Sequence, residues 1–127
     1  MIVRKAVFDD YEAIKHFMID FANANPFKGL HSPDYNDQYA NRLIDKIRKN
    51  GVALVAEKDG EIIGMMLAMV QGDIWLPIVK TMREVAWCVD LDDRGIIKGA
   101  KLLKEYTRVG DELVDNNIIS AYTITTL

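Results

Sequence analysis

The segment Glu84–Tyr106, EVAWCVDLDDRGIIKGAKLLKEY, constrains the fold of this chain more than any other part. An apolar run is followed by an acidic turn, a basic loop containing glycines, and apolar residues at helical spacing. This order predicts a strand, a loop and a helix. The first N–H groups of a helix lack internal partners and carry a partial positive charge, so a glycine-containing loop beside them can form an anion site. Arg94 and Lys98 would add formal positive charge to that site.

Further strands are predicted wherever apolar residues alternate or β-branched residues cluster. The turn at 58–60 favours a hairpin, because Asp59 and Gly60 tolerate the left-handed conformations that a tight turn needs. The predicted strands are Ile2–Ala6, Val52–Ala56, Glu61–Val70, Met82–Val89 and Ile118–Thr125.

Three helices are predicted from apolar residues that recur every three or four positions. The first has Asp9 as its N-cap and Glu12 as its capping-box partner. The second begins near Ser32 and Pro33 and ends at Asn50 and Gly51, and the third ends by Asn116 and Asn117. The predicted inward-facing residues are Tyr11, Ile14, Met18 and Phe21 in the first helix, Tyr39, Leu43 and Ile47 in the second, and Leu102, Leu103, Tyr106, Val109 or Gly110, and Leu113 in the third.

The strand Met82–Val89 is largely apolar on both of its faces, which favours a position in the centre of a sheet. Simple alternation predicts Glu84, Ala86 and Cys88 on one face, and Val85, Trp87 and Val89 on the other.

Length and composition favour one domain spanning residues 1–127 around a single core, since half of the 127 residues are hydrophobic. No apolar stretch is long enough to cross a bilayer, and the N-terminus lacks the apolar segment of a signal peptide, so we expect a cytoplasmic protein without a membrane partner. The single cysteine fits a reducing compartment. The net charge of −3 and the lack of a basic tail predict no nucleic-acid partner. No cluster of ligand residues indicates a metal.

The loop and the third helix resemble the acyl-CoA-binding motif of the GNAT superfamily of N-acetyltransferases. That motif has Arg or Gln, two residues, Gly, one residue, and then Gly or Ala. Arg94, Ile97 and Gly99 fall on its three defining positions, with Ile97 in place of the first glycine. Gly95 also matches the commonest form of the family motif, and Ala100 fits the helix that follows.

The predicted order of strand, helix, helix, three strands, helix and strand also resembles the core of this family. The resemblance implies an α/β (α+β) fold with a mixed, mostly antiparallel central sheet flanked by helices. Family members normally continue through one more helix and two more strands. Either that part is missing from this sequence, or a second copy or partner chain covers the exposed sheet edge. Short, divergent members of this kind are familiar among phage-encoded proteins.

The resemblance further implies acetyl-CoA as the acyl donor and a primary amine as the acceptor. The loop would hold the CoA pyrophosphate, and the end of the preceding strand would pair with the pantetheine arm. A backbone N–H of Val89 or a neighbour would donate to the developing oxyanion. The implied cofactor-binding residues are Cys88, Val89 and Asp90 on the strand, and Arg94, Gly95, Ile96, Ile97, Lys98, Gly99 and Ala100 on the loop and helix.

Two residues are candidates for proton transfer. Glu84 lies where several family members carry a catalytic Glu, so the resemblance implies a general base there. Its structural alternative is a partly exposed edge charge. Tyr122 is the candidate general acid, with packing in a strand as its alternative. Cys88 is not expected to act as a nucleophile, because His16 and His31 are remote in sequence.

Two loops, Phe27–Tyr35 and Ile74–Pro77, occupy the places where the family builds its acceptor pocket. The apolar Trp75 predicts either burial in the core or a binding role. The sequence therefore leaves two classes of function open. The first is an N-acetyltransferase, and the second is a non-catalytic relative whose CoA loop has degenerated, which Ile97 and the short C-terminus would favour.

Overall fold

A computed structural model describes residues 1–23, 36–90 and 95–124, which form one sheet covered by helices. A single 3₁₀ turn at Phe8–Asp10 precedes the first helix. The other elements are β1 (Ile2–Lys5), α1 (Tyr11–Asn23), α2 (Asp37–Asn50), β2 (Gly51–Lys58), β3 (Glu61–Gly72), β4 (Lys80–Val89), α3 (Gly95–Asp115) and β5 (Ala121–Thr123). This order agrees with the predicted order of strands and helices.

The sheet contains five strands in the order β1-β2-β3-β4-β5. Its first three pairs are antiparallel and the β4–β5 pair is parallel, so the predicted mixed, mostly antiparallel sheet is confirmed. Strands β2 and β3 form a hairpin. Its turn contains Asp59 and Gly60, whose φ angles are 52° and 79°. A parallel pair needs a crossover connection, and α3 provides it.

Apolar side chains pack on both faces of the sheet, because successive residues of each strand point in opposite directions. In β2, Ala53 and Val55 contact the cluster formed with α1 and α2, whereas Val52 and Leu54 contact the cluster formed with α3. The helices contribute Tyr11, Ile14, Phe17, Ile44 and Ile47 to the first cluster, and Leu102, Tyr106 and Val109 to the second.

The predicted start of the first helix was wrong. Asp10, rather than Asp9, accepts the N–H of Val7 at 2.7 Å and caps the 3₁₀ turn that leads into α1. The α2 helix begins at Asp37, where the Asn36 side chain accepts the N–H of Tyr39 at 2.9 Å. The predicted start at Ser32 and Pro33 lies outside the described residues.

The first turn of α2 faces the core with a different residue from the one predicted. Tyr39, predicted to face inward, is 58% exposed, and Ala40 and Ile44 are buried in its place. Leu43 is partly buried and Ile47 is buried, as predicted.

A β-bulge interrupts β4 and changes which face its residues occupy. Leu67 pairs with Ala86, but the next residue of β3, Ala68, pairs with Glu84, so Val85 has no partner. Met82 therefore shares the α3 face with Trp87 and Val89, while Ala86 and Cys88 pack on the α1/α2 side. Val85 lines a cavity together with Ala86, so the simple alternation predicted for this strand was wrong at the bulge.

The last strand is shorter than predicted because its first residues end α3 instead. Asn117 has a φ of 59°, and the N–H of Ile118 donates to the carbonyl of Leu113 at 2.9 Å, which closes the last helical turn. Strand β5 spans only Ala121–Thr123. Within the described parts of the chain, no helix has the length and apolar character needed to cross a bilayer.

Candidate functional site

A cleft of about 650 Å³ lies where β4 ends beside the first turns of α3. This volume falls in the range of small-molecule sites. The cleft brings together Val89, Gly95, Ile96, Gly99 and Ala100, which are all among the predicted cofactor-binding residues. Trp87 and Leu103 complete its lining.

Gly95 and Gly99 of α3 line this cleft beside β4. A Cβ at Gly99 would lie 3.6 Å from the indole of Trp87, and one at Gly95 would lie 3.5 Å from the carbonyl oxygen of Asp90. These are ordinary contact distances, so alanine would fit, but any longer side chain would enter the cleft. The start of the helix is therefore held against the end of β4.

The described pairing of β4 with β5 lies at the end of β4 that is farther from the cleft. Within the described residues, the two strands pair only from Thr81 to Arg83. Further along, the N–H of Asp90 donates to the carbonyl of Ile63 at 2.9 Å on the β3 side. Backbone groups alternate between the two edges of a strand, so those of Val89 and Trp87 point away from β3.

The first turn of α3 presents apolar side chains to solvent. Ile96 is 89% exposed and Ile97 is 55% exposed, whereas Lys98 is only 5% exposed. Ile97 lies within the helix and has a negative φ, since the described non-glycine residues with positive φ are Asp59 and Asn117. Lys98 is therefore buried in the first turn of α3, and its part in cofactor binding stays a prediction. Arg94 lies outside the described residues.

Glu84 is buried at the β4 bulge, with 8% of its surface exposed. The alternative of a partly exposed edge charge was therefore wrong. Burial raises the pKa of the Tyr106 phenol to about 12, and the charge of Glu84 adds to this shift. Burial, again followed by Glu84, raises the pKa of the Cys88 thiol to about 11, so Cys88 is protonated and unreactive at neutral pH.

Tyr122 is held by packing contacts remote from the cleft. Its hydroxyl donates to Asp111 at 2.6 Å, and its ring meets that of Tyr106 edge to face at 5.8 Å. The hydrogen bond to Asp111 raises the pKa of Tyr122. Tyr122 pairs with Met82, which lies seven residues before Val89, or about 23 Å along an extended strand. The structure does not bring Tyr122 to the cleft.

The loop between β3 and β4 exposes its apolar residues. The carboxylate of Asp73 accepts the N–H groups of Trp75 and Leu76 at 2.8 and 2.9 Å, which fixes the turn. Trp75 is 85% exposed, so its burial in the core is excluded. The other predicted acceptor loop, Phe27–Tyr35, lies outside the described residues.

Sequence reasoning missed Trp87 and Leu103 as parts of the cleft. The period of the apolar residues assigned Trp87 to one face of a strand and Leu103 to the inner face of α3. This period does not distinguish a residue of the core from a residue that lines a cleft. The described residues contain no group of three His, Cys, Asp or Glu side chains placed to hold a metal ion.

Solved structures with the same fold include several acetyltransferases. A ribosomal-protein-alanine N-acetyltransferase from Brucella melitensis biovar Abortus is 15% identical, with a TM-score of 0.70 over 100% of this chain and 81% of that protein. An aminoglycoside acetyltransferase from an uncultured soil metagenomic sample, solved with sisomicin, is 13% identical, with a TM-score of 0.70 over 99% and 77%. A GNAT family acetyltransferase from Staphylococcus aureus is 19% identical, with a TM-score of 0.63 over 99% and 86%. No protein-family model and no curated protein sequence matches this chain.

Proposed function

From the GNAT fold of this chain and the cleft beside α3, we propose that the protein is an N-acetyltransferase. In this proposal, an acetyl group moves from acetyl-CoA to a primary amine by direct attack. The observation that carries the proposal is the coincidence of two features at one place. The cleft gathers Val89, Gly95, Ile96, Gly99 and Ala100, and it adjoins the end of β4 whose outward backbone groups lie beyond the described pairing with β5.

The cleft has the properties that acetyl-CoA requires. The first turn of α3 lines the cleft through Gly95 and Ile96, and the partial positive charge of a helix N-terminus would favour the pyrophosphate there. Trp87, Val89 and Leu103 provide an apolar wall. The outward N–H and C=O groups of Val89 would pair with the amides of the pantetheine arm as a neighbouring strand does.

The proposed reaction needs a base and an oxyanion donor. Glu84, directly or through a water molecule, would take the proton from the ammonium form of the acceptor, because only the neutral amine is a nucleophile. The amine nitrogen then forms a bond to the thioester carbonyl carbon, whose oxygen is stabilised by a backbone N–H of β4 near Val89. The C–S bond breaks as the nitrogen's second proton passes to the sulfur, so CoA leaves as the thiol and the first proton remains on Glu84.

A second function is favoured by one specific observation. Ile97 stands at the first glycine position of the CoA motif, with a half-exposed side chain in the first turn of α3. A side chain that reached the phosphate position would exclude CoA. The protein would then be a non-catalytic binding or assembly protein with the GNAT fold.

Calorimetry with acetyl-CoA tests the proposal directly. We expect binding by the wild type, and at least tenfold weaker binding by Ala100→Trp, because Ala100 is exposed and lines the cleft. The control is Ala121→Trp, which makes the same change at an exposed position of β5. Acetyl-CoA at one hundred times its dissociation constant should also stabilise the fold by about 2.7 kcal/mol. Absence of binding by the wild type would overturn the proposal in favour of the second function.

A further inference from the structure

A second cavity, of about 250 Å³, lies at the end of the sheet where β2 begins. Its lining includes the basic side chains of Lys5 and Arg48 and the apolar side chains of Val52, Val109 and Leu113. None of the described residues that line it is acidic. We call this cavity the basic pocket.

The basic pocket is separate from the cleft. The two cavities share no described lining residue. Leu113 of the pocket lies ten residues beyond Leu103 of the cleft, or about 15 Å along the helix. A ligand of the basic pocket would therefore not compete for the cleft.

Lys5 supplies one of the two positive charges. It is exposed at the end of β1, and among the described residues its ammonium makes no hydrogen bond or ion pair. The carboxylates of Glu105 and Glu112 on α3 instead bind Arg108, at 2.6 and 3.0 Å. The hydrogen bond from Arg108 lowers the pKa of Glu105 most, and the charge of Lys5 adds least to this shift. The ammonium of Lys5 is therefore available to an anion from solution.

Arg48 supplies the other charge and is held in place by Tyr11. Its Nη1 donates to the Tyr11 hydroxyl at 3.1 Å, and its guanidinium carbon lies 5.6 Å from the centre of the Tyr11 ring. A guanidinium has several N–H donors, so others can bind a ligand. A cation in the last turn of α2 also suits the partial negative charge of a helix C-terminus. That reason does not apply to Lys5, which lies on β1.

The pocket has an apolar wall beside these two charges. Val52 and Val109 are each 7% exposed, and Leu113 is partly buried. Such a wall favours an apolar group that leaves water, and it cannot replace the hydration of a bare inorganic anion.

We infer that the basic pocket binds a small carboxylate with an apolar body, of the class of the aromatic carboxylic acids. The carboxylate would lie between Lys5 and Arg48, and the apolar body would pack against Val109 and Leu113 of α3. A water molecule occupies about 30 Å³ of the liquid, so the pocket holds roughly eight groups of that size. A single ring with its carboxylate would fit, whereas a nucleotide would not. The inference does not rest on the proposed function.

A titration of valine- and leucine-methyl-labelled protein with benzoate tests this inference by NMR. We expect saturable binding, with shifts of the methyl resonances of Val109 and Leu113. The internal controls are Val89 and Leu103, which line the cleft and should not shift. The titration uses the full chain without acetyl-CoA.

Two further ligands separate the charge from the apolar body. Benzyl alcohol keeps the ring but lacks the negative charge, and acetate keeps the carboxylate but lacks the ring. Each should bind about tenfold or more weakly than benzoate, because the alcohol loses charge-assisted hydrogen bonds and acetate buries less apolar surface. This comparison uses the wild type alone, so it does not depend on the folding of a variant.

The variant Lys5→Glu reverses one of the two charges. We expect it to weaken benzoate binding about tenfold or more, since a carboxylate would then face the ligand's own. The matched control is Lys49→Glu, which makes the same change at an exposed residue next to Arg48 but outside the lining. It should weaken binding less than about threefold at physiological ionic strength, where salt screens exposed charges.

Several results would overturn the inference. They are the absence of saturable benzoate binding, benzyl alcohol or acetate binding as tightly as benzoate, and equal losses in Lys5→Glu and Lys49→Glu. Shifts at Val89 and Leu103 as large as those at Val109 and Leu113 would also overturn it, because they would place benzoate in the cleft. Acetyl-CoA binding is measured separately by calorimetry, so the two proposals can fail independently.

Discussion

At the scale of single residues, Asp10 forms a buried ion pair that makes stability depend on pH. Asp10 is 5% exposed. The Arg4 guanidinium donates to both of its carboxylate oxygens, at 2.7 and 2.9 Å, and this holds the pKa of Asp10 below its usual range. A carboxyl whose pKa is lowered on folding stabilises the native state above its unfolded pKa of about 4. That contribution is lost as the pH falls through the lower, folded pKa.

Asp10→Asn should lower the free energy of unfolding at pH 7 by about 1.5 to 3 kcal/mol, the usual contribution of a charge-assisted hydrogen bond. The difference from the wild type should shrink as the pH falls toward 2. Urea unfolding across this pH range measures both effects. Asp9→Asn is the control, because Asp9 is the exposed neighbour. An equal loss of stability in the two variants would contradict the assignment of Asp10 as the cap.

Glu84→Gln tests the proposed base at the same scale. We expect the rate of acetyl transfer to fall by roughly 10²- to 10⁴-fold, the usual contribution of general base catalysis, with acetyl-CoA affinity nearly unchanged. The loss should be greatest where the acceptor amine is protonated. Glu61→Gln, at the exposed start of β3, is the control. Wild-type turnover by the Glu84 variant across the pH range would remove Glu84 from the mechanism.

Ile97→Gly distinguishes the two candidate functions. Because the Ile97 side chain is 55% exposed and lies within a helix, the substitution should destabilise the protein by only about 0.5 to 1 kcal/mol. Under the proposed function, acetyl-CoA affinity should change less than about threefold in calorimetry. Lys101→Gly controls for the cost of glycine in α3. A tenfold gain in affinity would mean that Ile97 blocks the site in the natural sequence.

At the scale of elements, α3 and β5 are joined by a contact that requires glycine. A Cβ at Gly110 would lie 2.6 Å from the ring of Tyr122. The same ring is fixed by the hydrogen bond to Asp111. The hydroxyl of Tyr106 donates to the carbonyl of Thr123 at 2.8 Å on the same strand. These contacts hold β5 against the helix at the end of the sheet farther from the cleft.

The Gly110–Tyr122 contact predicts a change of sign in a double-mutant cycle. Gly110→Ala should destabilise the wild type by about 1 to 3 kcal/mol, because the added methyl overpacks the ring. In a Tyr122→Ala background, the same substitution should stabilise the protein by up to about 1 kcal/mol, since alanine is the better helix former. Thermal unfolding of the four proteins gives the coupling energy. Equal effects in both backgrounds would contradict the close contact.

The order of the strands and helices could be predicted from the sequence. The ends of these elements, and the faces that their residues occupy, were harder to predict. Strand and helix order follows from hydrophobic periodicity and from the turn at Asp59 and Gly60, which depend on local sequence. The face that each β4 residue occupies depends on the bulge at Val85, which is a property of pairing with β3. Tyr39 is exposed in the first turn of α2, which Asn36 caps. Neither the pairing nor the cap is encoded in the period of the apolar residues.

At the scale of the whole molecule, the cleft could be located from the sequence but not fully described. The glycines of α3 and the end of β4 indicated where an anion site would form. The burial of Lys98 and the exposure of Ile97 could not be inferred, because both depend on how the first turn of α3 sits on the sheet. The cavity lined by Val85 and Ala86 also takes residues from α1, α2 and β3, which only the assembled fold brings together.

The crossover through α3 has a consequence for the order of folding. The hairpins β2–β3 and β3–β4 join strands that are adjacent in the chain, so they close short loops and form at a low cost in entropy. The β4–β5 pair must wait until the whole of α3 has packed across the sheet. The cleft has one wall on β4 and the other on α3, so it does not exist before that late step. We therefore expect a folding intermediate that already has its antiparallel hairpins to be unable to bind acetyl-CoA.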